Sequence, residues 1–396
     1  MVCLLVVLVL MTALTGCWSR RELNSLGIVV GTGIDKQGDE YEVSVQTVNP
    51  GEISSQKGGG SSGRAPVTVY SSTAGTVAEA VRKLTTVTPR ETYFSHNRIL
   101  ILSEQVAKEG ISKPLDYLAR DHEFRTDFYF AIARGTSAKQ VLSFMTGMEK
   151  VPSSNIFNSL TVAEKEWSPV TTVRMFDLID TLVSKGKNPA ITGIRIVGDV
   201  EGSETRKNIE SVKPVALLQA WGIAVFQDDR MVGWLDEEES KGFTDLTDQL
   251  KRTVVKVACP QKGWLTLNVM NSHTKLQGRV VDGKPQVQVE IRMEANVSDA
   301  ECKIELTKAE TLALLEKEAE QEVKAHGEAA VRKAKRLESD IFGFGEAIHK
   351  ADPGYWNQVK DRWNQVFRDV SVTYEIDVRI RRLGTITDPI IDKRKE

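Results

Sequence analysis

The feature that most constrains this chain lies at its very start. Leu4 to Leu14 is an almost unbroken apolar run with Thr12 as its only polar member, and it stops at Leu14-Thr15-Gly16-Cys17. Crossing a hydrocarbon core of about 30 Å takes about 20 apolar residues, so a run this short does not span. At an N-terminus it reads as the apolar region of a secretory signal peptide. The alternative is a buried apolar strand or helix that precedes a cysteine. Met1-Val2-Cys3 holds neither Lys nor Arg where a positive leader is expected, so either translation starts upstream or the peptide is atypical.

Leu14-Thr15-Gly16-Cys17 has the pattern of a lipobox, with small residues before a thiol that receives a diacylglyceryl group. Cleavage after Gly16 leaves Cys17 as the N-terminus, open to S-diacylglycerol and N-acyl modification (palmitate or a similar chain). One acyl chain holds a protein only marginally, at about 0.8 kcal/mol per buried CH₂, whereas two or more anchor it stably. No later run approaches 18 apolar residues. Residues from Trp18 onward are therefore expected to form a tethered extracytoplasmic domain.

Composition narrows the class further. Hydrophobic residues make up 41% of the 396 and charged residues 27%, which suits a folded protein of two or three domains. With 52 Lys+Arg against 54 Asp+Glu the net charge is -2, and no bulk field draws the chain to nucleic acid.

Strand and helix patterns interleave. Ile28 to Val48 predicts a hairpin turning at Lys36-Gln37-Gly38-Asp39, with Tyr41, Val43, Val45 and Thr47 on one face. The Gly/Ser-rich stretch 51–65 reads as a mobile loop. Thr76 to Glu79 predicts a helix start, running through Leu84. Arg98–Leu102 and Phe128–Ala133 read as strands; Glu104–Lys108, Lys113–Arg120 and Ala138–Met145 read as helices, and Pro169–Val183 carries an apolar stripe at helical spacing. Ala220–Phe226 and Arg230–Leu235 flank Gln227-Asp228-Asp229 as a second hairpin, followed by an acidic helix start at Asp236 to Glu239. Val254–Ala258, Leu265–Val269, Lys275–Val281 and Gln286–Ala295 read as strands. A long, partly apolar helix is predicted over Lys308–Leu337, then a helix over Tyr355–Phe367 and a strand over Val370–Ile380. The expected class is α+β: three mixed domains, each a β-sheet flanked by helices, behind a cleaved lipoprotein signal peptide. Their boundaries fall at 1–16 for the signal peptide, 17–205, 206–265 for a middle unit with the hairpin, and 266–396.

Catalytic signatures are missing from the sequence. Gly31-Thr32-Gly33 lacks the third glycine of a dinucleotide fingerprint and lies inside a hairpin. There is no phosphate-binding Gly-Lys-Ser/Thr loop, no Gly-x-Ser-x-Gly elbow, and Thr126 stands where a zinc peptidase beginning at His122-Glu123 needs its second histidine. His96, His122, His273, His326, His349, Cys259 and Cys302 show no ligand-like spacing, so no metal, cofactor or catalytic residue is assigned. Cys259 and Cys302 are a possible disulfide in an oxidising exterior, with free buried cysteines as the alternative. Core packing accounts for Trp221, Trp234, Trp356 and Trp363 more readily than ligand stacking. The basic run Arg379 to Arg382 with Lys393-Arg394-Lys395 reads as a solvated strand end and tail, with contact to anionic lipid as the second reading.

Several separated stretches together resemble the Ger(x)C lipoproteins, the C subunits of bacterial spore germinant receptors. Cys17-Trp18-Ser19-Arg20-Arg21-Glu22-Leu23 is similar to that family's opening, except for Ser19, where an acidic residue is common. Gly31-Thr32-Gly33-Ile34-Asp35, Ile101-Leu102-Ser103-Glu104 and Leu115-Asp116-Tyr117-Leu118-Ala119-Arg120-Asp121 follow in order. Gly222 to Phe226 with Met231 to Leu235 resembles the family's middle hairpin, and Asp340-Ile341-Phe342-Gly343-Phe344-Gly345 its C-terminal signature. The resemblance implies three α/β domains, no enzymatic activity, and assembly with polytopic A and B subunits at the inner membrane of the dormant spore. Arg20, Arg21, Glu22 and Leu23 follow the anchor directly and are candidate partner-docking residues, a charged spacer being the equal alternative. No nucleic acid and no direct small-molecule ligand are expected. A tethered small-molecule-binding lipoprotein is the second reading, and a surface hydrolase a third.

Overall fold

The computed structural model describes residues 22–50, 52, 65–260 and 262–382. Cys17, Arg20 and Arg21, the stretch 51–65 apart from Glu52 and Ala65, and Lys393-Arg394-Lys395 lie outside the described residues.

The chain is a multi-domain α+β protein whose sheets are flanked by helices. In chain order its main elements begin with β1 (Leu26–Gln37), β2 (Glu40–Val48), β3 (Val67–Ala74), α1 (Val77–Lys83), β4 (Glu91–Tyr93) and β5 (Ile99–Ser103). Next come α2 (Glu104–Glu109), α3 (Ser112–Arg120), β6 (Tyr129–Ala133), α4 (Ala138–Ser143), α5 (Pro152–Glu166), β7 (Val173–Arg174), α6 (Met175–Val183) and β8 (Ala190–Gly198). Then follow β9 (Ala216–Gln227), β10 (Arg230–Leu235), α7 (Glu237–Leu246), β11 (Thr253–Ala258), β12 (Trp264–Val281) and β13 (Lys284–Ala300). The last are α8 (Ala309–Arg336), α9 (Phe344–Ala351), α10 (Pro353–Val359), α11 (Trp363–Phe367) and β14 (Ser371–Arg382).

Among the described residues, ten strands form one sheet in the order β10-β9-β8-β6-β5-β1-β2-β3, with β4 and β7 paired at its side. Its centre, β1, β5, β6 and β8, is parallel. A parallel sheet needs cover on both faces, and so its strands run apolar throughout. All of Ile99 to Ser103 and Tyr129 to Ala133 are buried. Leu100 and Leu102 face α1, α2, α3 and α6, while Ile99 and Ile101 face α4 and α5.

The Gly-Thr-Gly-Ile-Asp stretch of β1 is built to receive those last two helices. A Cβ on Gly31 would lie 2.0 Å from Ser153 Oγ, and one on Gly33 would lie 3.0 Å from Ala138 Cβ. Asp35 is buried, and its carboxylate accepts hydrogen bonds from the N–H of Ala138 (2.8 Å) and Lys139 (2.9 Å) at the start of α4. Gln46 donates to Leu142 O and accepts from Ser153 Oγ at 2.7 Å, tying β2 to the same helices. The glycines serve helix–sheet approach, consistent with their failure to fit a phosphate-binding fingerprint.

The second sheet has the order β11-β12-β13-β14, with β13 and β14 parallel. Asp282 (φ 51°) and Gly283 (φ 72°) close the β12–β13 hairpin with two left-handed residues, the geometry of a tight hairpin turn. α8 buries Leu315, Ala319, Val323, Ala330, Val331 and Ala334. Its Glu320 and Glu316 accept the backbone N–H of Val378 (3.4 Å) and Ile380 (2.9 Å) on edge strand β14. Carboxylates there occupy donors that an incoming strand would otherwise use.

Several details differ from the pattern reading. Leu265–Val269 and Lys275–Val281 are parts of one 18-residue strand; bulges near Thr266 and Met270 and the polar Asn271-Ser272-His273 hide its continuity. The helix predicted over Pro169–Val183 starts only at Met175, because Val173 and Arg174 pair with β6. Phe176 (73% exposed) and Val183 (74%) lie outside its packed face, where Met175 and Leu178 are buried and Ile179 and Leu182 pack against the same core. The helix over Tyr355–Phe367 is interrupted by a 3-10 turn at Lys360–Arg362, yet Trp356, Val359 and Trp363 are all buried. Helix α5 and strand β8 have no counterpart in the pattern reading.

Candidate functional site

Two regions bear on function: the end of the large sheet nearest the N-terminus, and the seam between the two sheets. At the first, Ser25 donates through both N–H and Oγ to Glu22 O (3.0 and 2.7 Å), closing a 3-10 turn over Leu23–Ser25 that runs straight into β1. β1 lies well inside the sheet between β5 and β2. The segment from Cys17 to Leu26 reaches at most about 30 Å when extended. Glu22 is exposed. Any anchor on Cys17 is thus short-coupled to the central strand of the fold.

The seam is centred on Asp340, whose carboxylate is fully buried. Its Oδ1 accepts the N–H of Phe342 (3.1 Å), Gly343 (3.0 Å) and Phe344 (3.1 Å); its Oδ2 accepts the N–H of Gly345 and the indole Nε1–H of Trp363, both at 2.8 Å. Gly343 at φ 83° supplies the left-handed turn that folds four amides around one side chain. Burial pushes this carboxyl above the usual aspartate range, and the ring of N–H donors pulls it back.

The loop so formed is gripped by the large sheet. Asn188 N donates to Asp340 O (2.7 Å), and its side chain donates to Asn364 Oδ1 (2.9 Å) and accepts from Asp228 N (2.9 Å). Gln227 donates to Glu338 O (3.0 Å), Ser339 Oγ to Phe226 O, and Ser184 Oγ to Glu346 Oε1 (3.1 Å). Gly186 and Gly345 touch backbone to backbone: a Cβ on Gly345 would lie 2.7 Å from Gly186 Cα. Ile223, Val225 and Leu235 of the middle hairpin join the apolar core of the second sheet, whereas Ala224, Phe226 and Met231 join that of the first. The hairpin therefore welds the two cores. Beside the seam a hollow of about 280 Å³ includes Asp177, Lys187, Phe243 and Gln249 in its lining, smaller than the usual ligand pocket of roughly 300–1,000 Å³.

Cys259 and Cys302 are joined at S–S 1.99 Å, with Cα atoms 6.4 Å apart, linking the end of β11 to the segment after β13. Trp356 and Trp363 are buried and meet edge-on at 5.3 Å. Among the described residues no group of three or more His, Cys, Asp or Glu side chains is placed to hold a metal, and no helix is long and apolar enough to cross a membrane. In the sequence Asp340 opens the C-terminal signature with no role of its own. An aspartate directly before a glycine-punctuated loop is the available signal, since such side chains fold back on following amides. Asn188 carried no signal at all.

Two helix-flanked sheets welded by a buried hairpin and an Asp340-centred loop define the class. Residues 19–196 match the spore germination protein N-terminal domain, and residues 221–384 match the Spore germination B3/GerAC-like C-terminal domain. The chain is 32% identical over 402 residues to spore germination protein KC of Bacillus subtilis, covering 100% of this chain and 99% of that one. It is 23% identical over 390 residues to spore germination protein B3 of the same organism, covering 95% and 96%. The solved GerBC protein superposes with a TM-score of 0.54 at 17% identity, covering 88% of this chain and 96% of that one. The chain belongs to the GerAC-like, or Ger(x)C, family of spore germination proteins.

Proposed function

We propose that the chain is the lipid-anchored, noncatalytic C subunit of a nutrient germinant receptor. Cys17, carrying S-diacylglycerol and N-acyl groups, holds it on the outer face of the inner spore membrane, where it assembles with polytopic A and B subunits and is required for the response to nutrients. The observation that carries this reading is similarity to spore germination protein KC along the whole chain. Only eight residues separate Cys17 from the start of β1, which adds mechanical sense: a displacement at the membrane is coupled over a short length of chain to the central sheet, and the welded seam joins that sheet to the second.

Arg20, Arg21, Glu22 and Leu23 act in this reading as the docking segment beside the membrane. The test is an Arg20→Ala, Arg21→Ala double variant assayed for recovery of the two polytopic partners from spore membranes. Loss of recovery with retained membrane association supports docking; unchanged recovery reduces these residues to a spacer. Cys17→Ala should release the chain from the membrane fraction, and its retention there would remove the lipid anchor from the account.

A further inference from the structure

At the carboxyl ends of the parallel strands, the guanidinium of Arg134 lies 3.9 Å from the Trp221 ring centre and 4.5 Å from that of Trp234. Arg195 lies 4.7 Å from Trp221 and donates through Nε and Nη2 to Gln219 Oε1 (3.0 and 2.9 Å). Two glycines make room for this stack. A Cβ on Gly193 would lie 2.5 Å from the Trp234 ring, and one on Gly222, at φ 72°, would lie 2.9 Å from Arg134 Nη1.

The arrangement is built but not neutralised. Neither guanidinium has a carboxylate within 4.0 Å among the described residues. Glu104, the acid whose field reaches Arg134, is engaged by Lys108 (2.8 Å) and Gly135 N (3.3 Å). Arg134 Nη1 is buried and donates to nothing among the described residues. Arg134 is half-buried, so its charge is partly desolvated, and its indole neighbours and the more distant Glu104 offset only part of that cost. Arg195 and Gln219 are cross-strand partners, and the next pair on the same face, Val197 (45% exposed) and Leu217 (58%), is apolar and open. Arginine and tryptophan are the residues that dominate protein–protein hot spots.

We propose that this face of β8 and β9, with Arg134, Arg195, Trp221 and Trp234, is the docking site for an acidic segment of a protein partner. A partner carboxylate pairs with the arginines, and an apolar side chain next to it covers Val197 and Leu217. The site is an open sheet surface rather than an enclosed pocket, which suits an extended segment over a small carboxylate. The proposal deepens the receptor-subunit reading, on which it rests for the existence of a partner, but its test does not use that complex.

The experiment is titration of the full-length, detergent-solubilised protein with an octa-glutamate peptide, followed by tryptophan fluorescence, with sodium acetate and an octa-lysine peptide alongside. With a net charge of -2 the chain has no bulk attraction for a polyanion, so a saturable response reports a local site. Octa-glutamate should bind, and Arg134→Gln with Arg195→Gln should weaken it about tenfold or more. Arg195→Gln alone, an exposed change, serves if the double variant does not fold. No saturable response to octa-glutamate, or equal binding by the variants, overturns the site. Acetate binding as tightly as the peptide overturns the partner segment. Octa-glutamate binding lost in the variants, beside spore membranes in which no polytopic partner is found, would sustain the site while sinking the receptor reading.

Discussion

The carboxylate of Asp340 and the indole N–H of Trp363 meet at 2.8 Å in the interior, and that bond is one of five by which a single side chain organises the loop between α8 and α9. Backbone amides need partners once buried, and one aspartate here satisfies four of them. The same loop carries the carbonyl that Asn188 holds from the large sheet. Local loop geometry and the joining of the two sheets are therefore one structural event.

Asp340→Asn turns an amide NH₂ toward N–H donors, and the expected cost is about 2–4 kcal/mol. Trp363→Phe removes one donor and leaves the others, with an expected cost of about 1–3 kcal/mol. Urea unfolding of both variants checks the order. Wild-type stability in Asp340→Asn would show that the carboxylate is not the organiser.

Asp245 gives a pH dependence. It is buried on α7, its Oδ1 accepts no hydrogen bond among the described residues, and burial pushes its carboxyl up to about 8, with Lys241 acting against the shift. The unfolded value is about 3.9. Between those values the folded chain holds the extra proton, so the contribution is fully present below about pH 4 and is lost as pH rises toward 8. The slope approaches ~1.4 kcal/mol per pH unit. The free energy of unfolding, measured from pH 5 to 8, should fall less steeply for Asp245→Asn than for the wild type; parallel curves would place the titration elsewhere.

Gly31→Ala should destabilise by about 1–3 kcal/mol, because the new methyl meets Ser153 Oγ and Leu142 and forces α4 and α5 off the sheet. Gly27→Ala, whose Cβ would meet nothing closer than 3.6 Å, is the control and should change stability far less. Equal effects in thermal unfolding would contradict the close-approach role of Gly31.

Cys259 and Cys302 close a loop of sequence separation 43, for which the chain-entropy account gives about 4 kcal/mol. Alkylation and mass spectrometry without reductant should find both thiols blocked. Cys302→Ser should lower stability by several kcal/mol; free thiols in the extracted protein would remove the bridge.

What was legible in the sequence follows from how each element is stabilised. The β1–β2 hairpin showed itself because Tyr41, Val43, Val45 and Thr47 alternate onto one buried face. α8 did so because its charges and its stripe of Leu315, Ala319 and Val323 keep helical spacing, and its observed ends are Ala309 and Arg336. Helix α5 begins Pro152-Ser153-Ser154-Asn155 and buries a serine in its first turn against Gly31 and Gln46, so the apolar face it lays on Ile99 and Ile101 starts late, at Ile156 and Leu160. Strand β8 carries Gly193 at its centre, a residue that weakens a strand pattern but is required under Trp234. The seam was the least legible, since Gln227 and Ser339 act through single hydrogen bonds to backbone and Asn188 through three separate ones, none of which leaves a periodic trace.

The central claim is assembly at the membrane, and the most direct measurement is a mild-detergent pull-down of the tagged chain from spore inner membranes, with partners identified by mass spectrometry and a Cys17→Ala form alongside. The account predicts that the anchored chain brings down two polytopic subunits and that the Cys17→Ala form is lost from the membrane. An anchored chain recovered alone would contradict it.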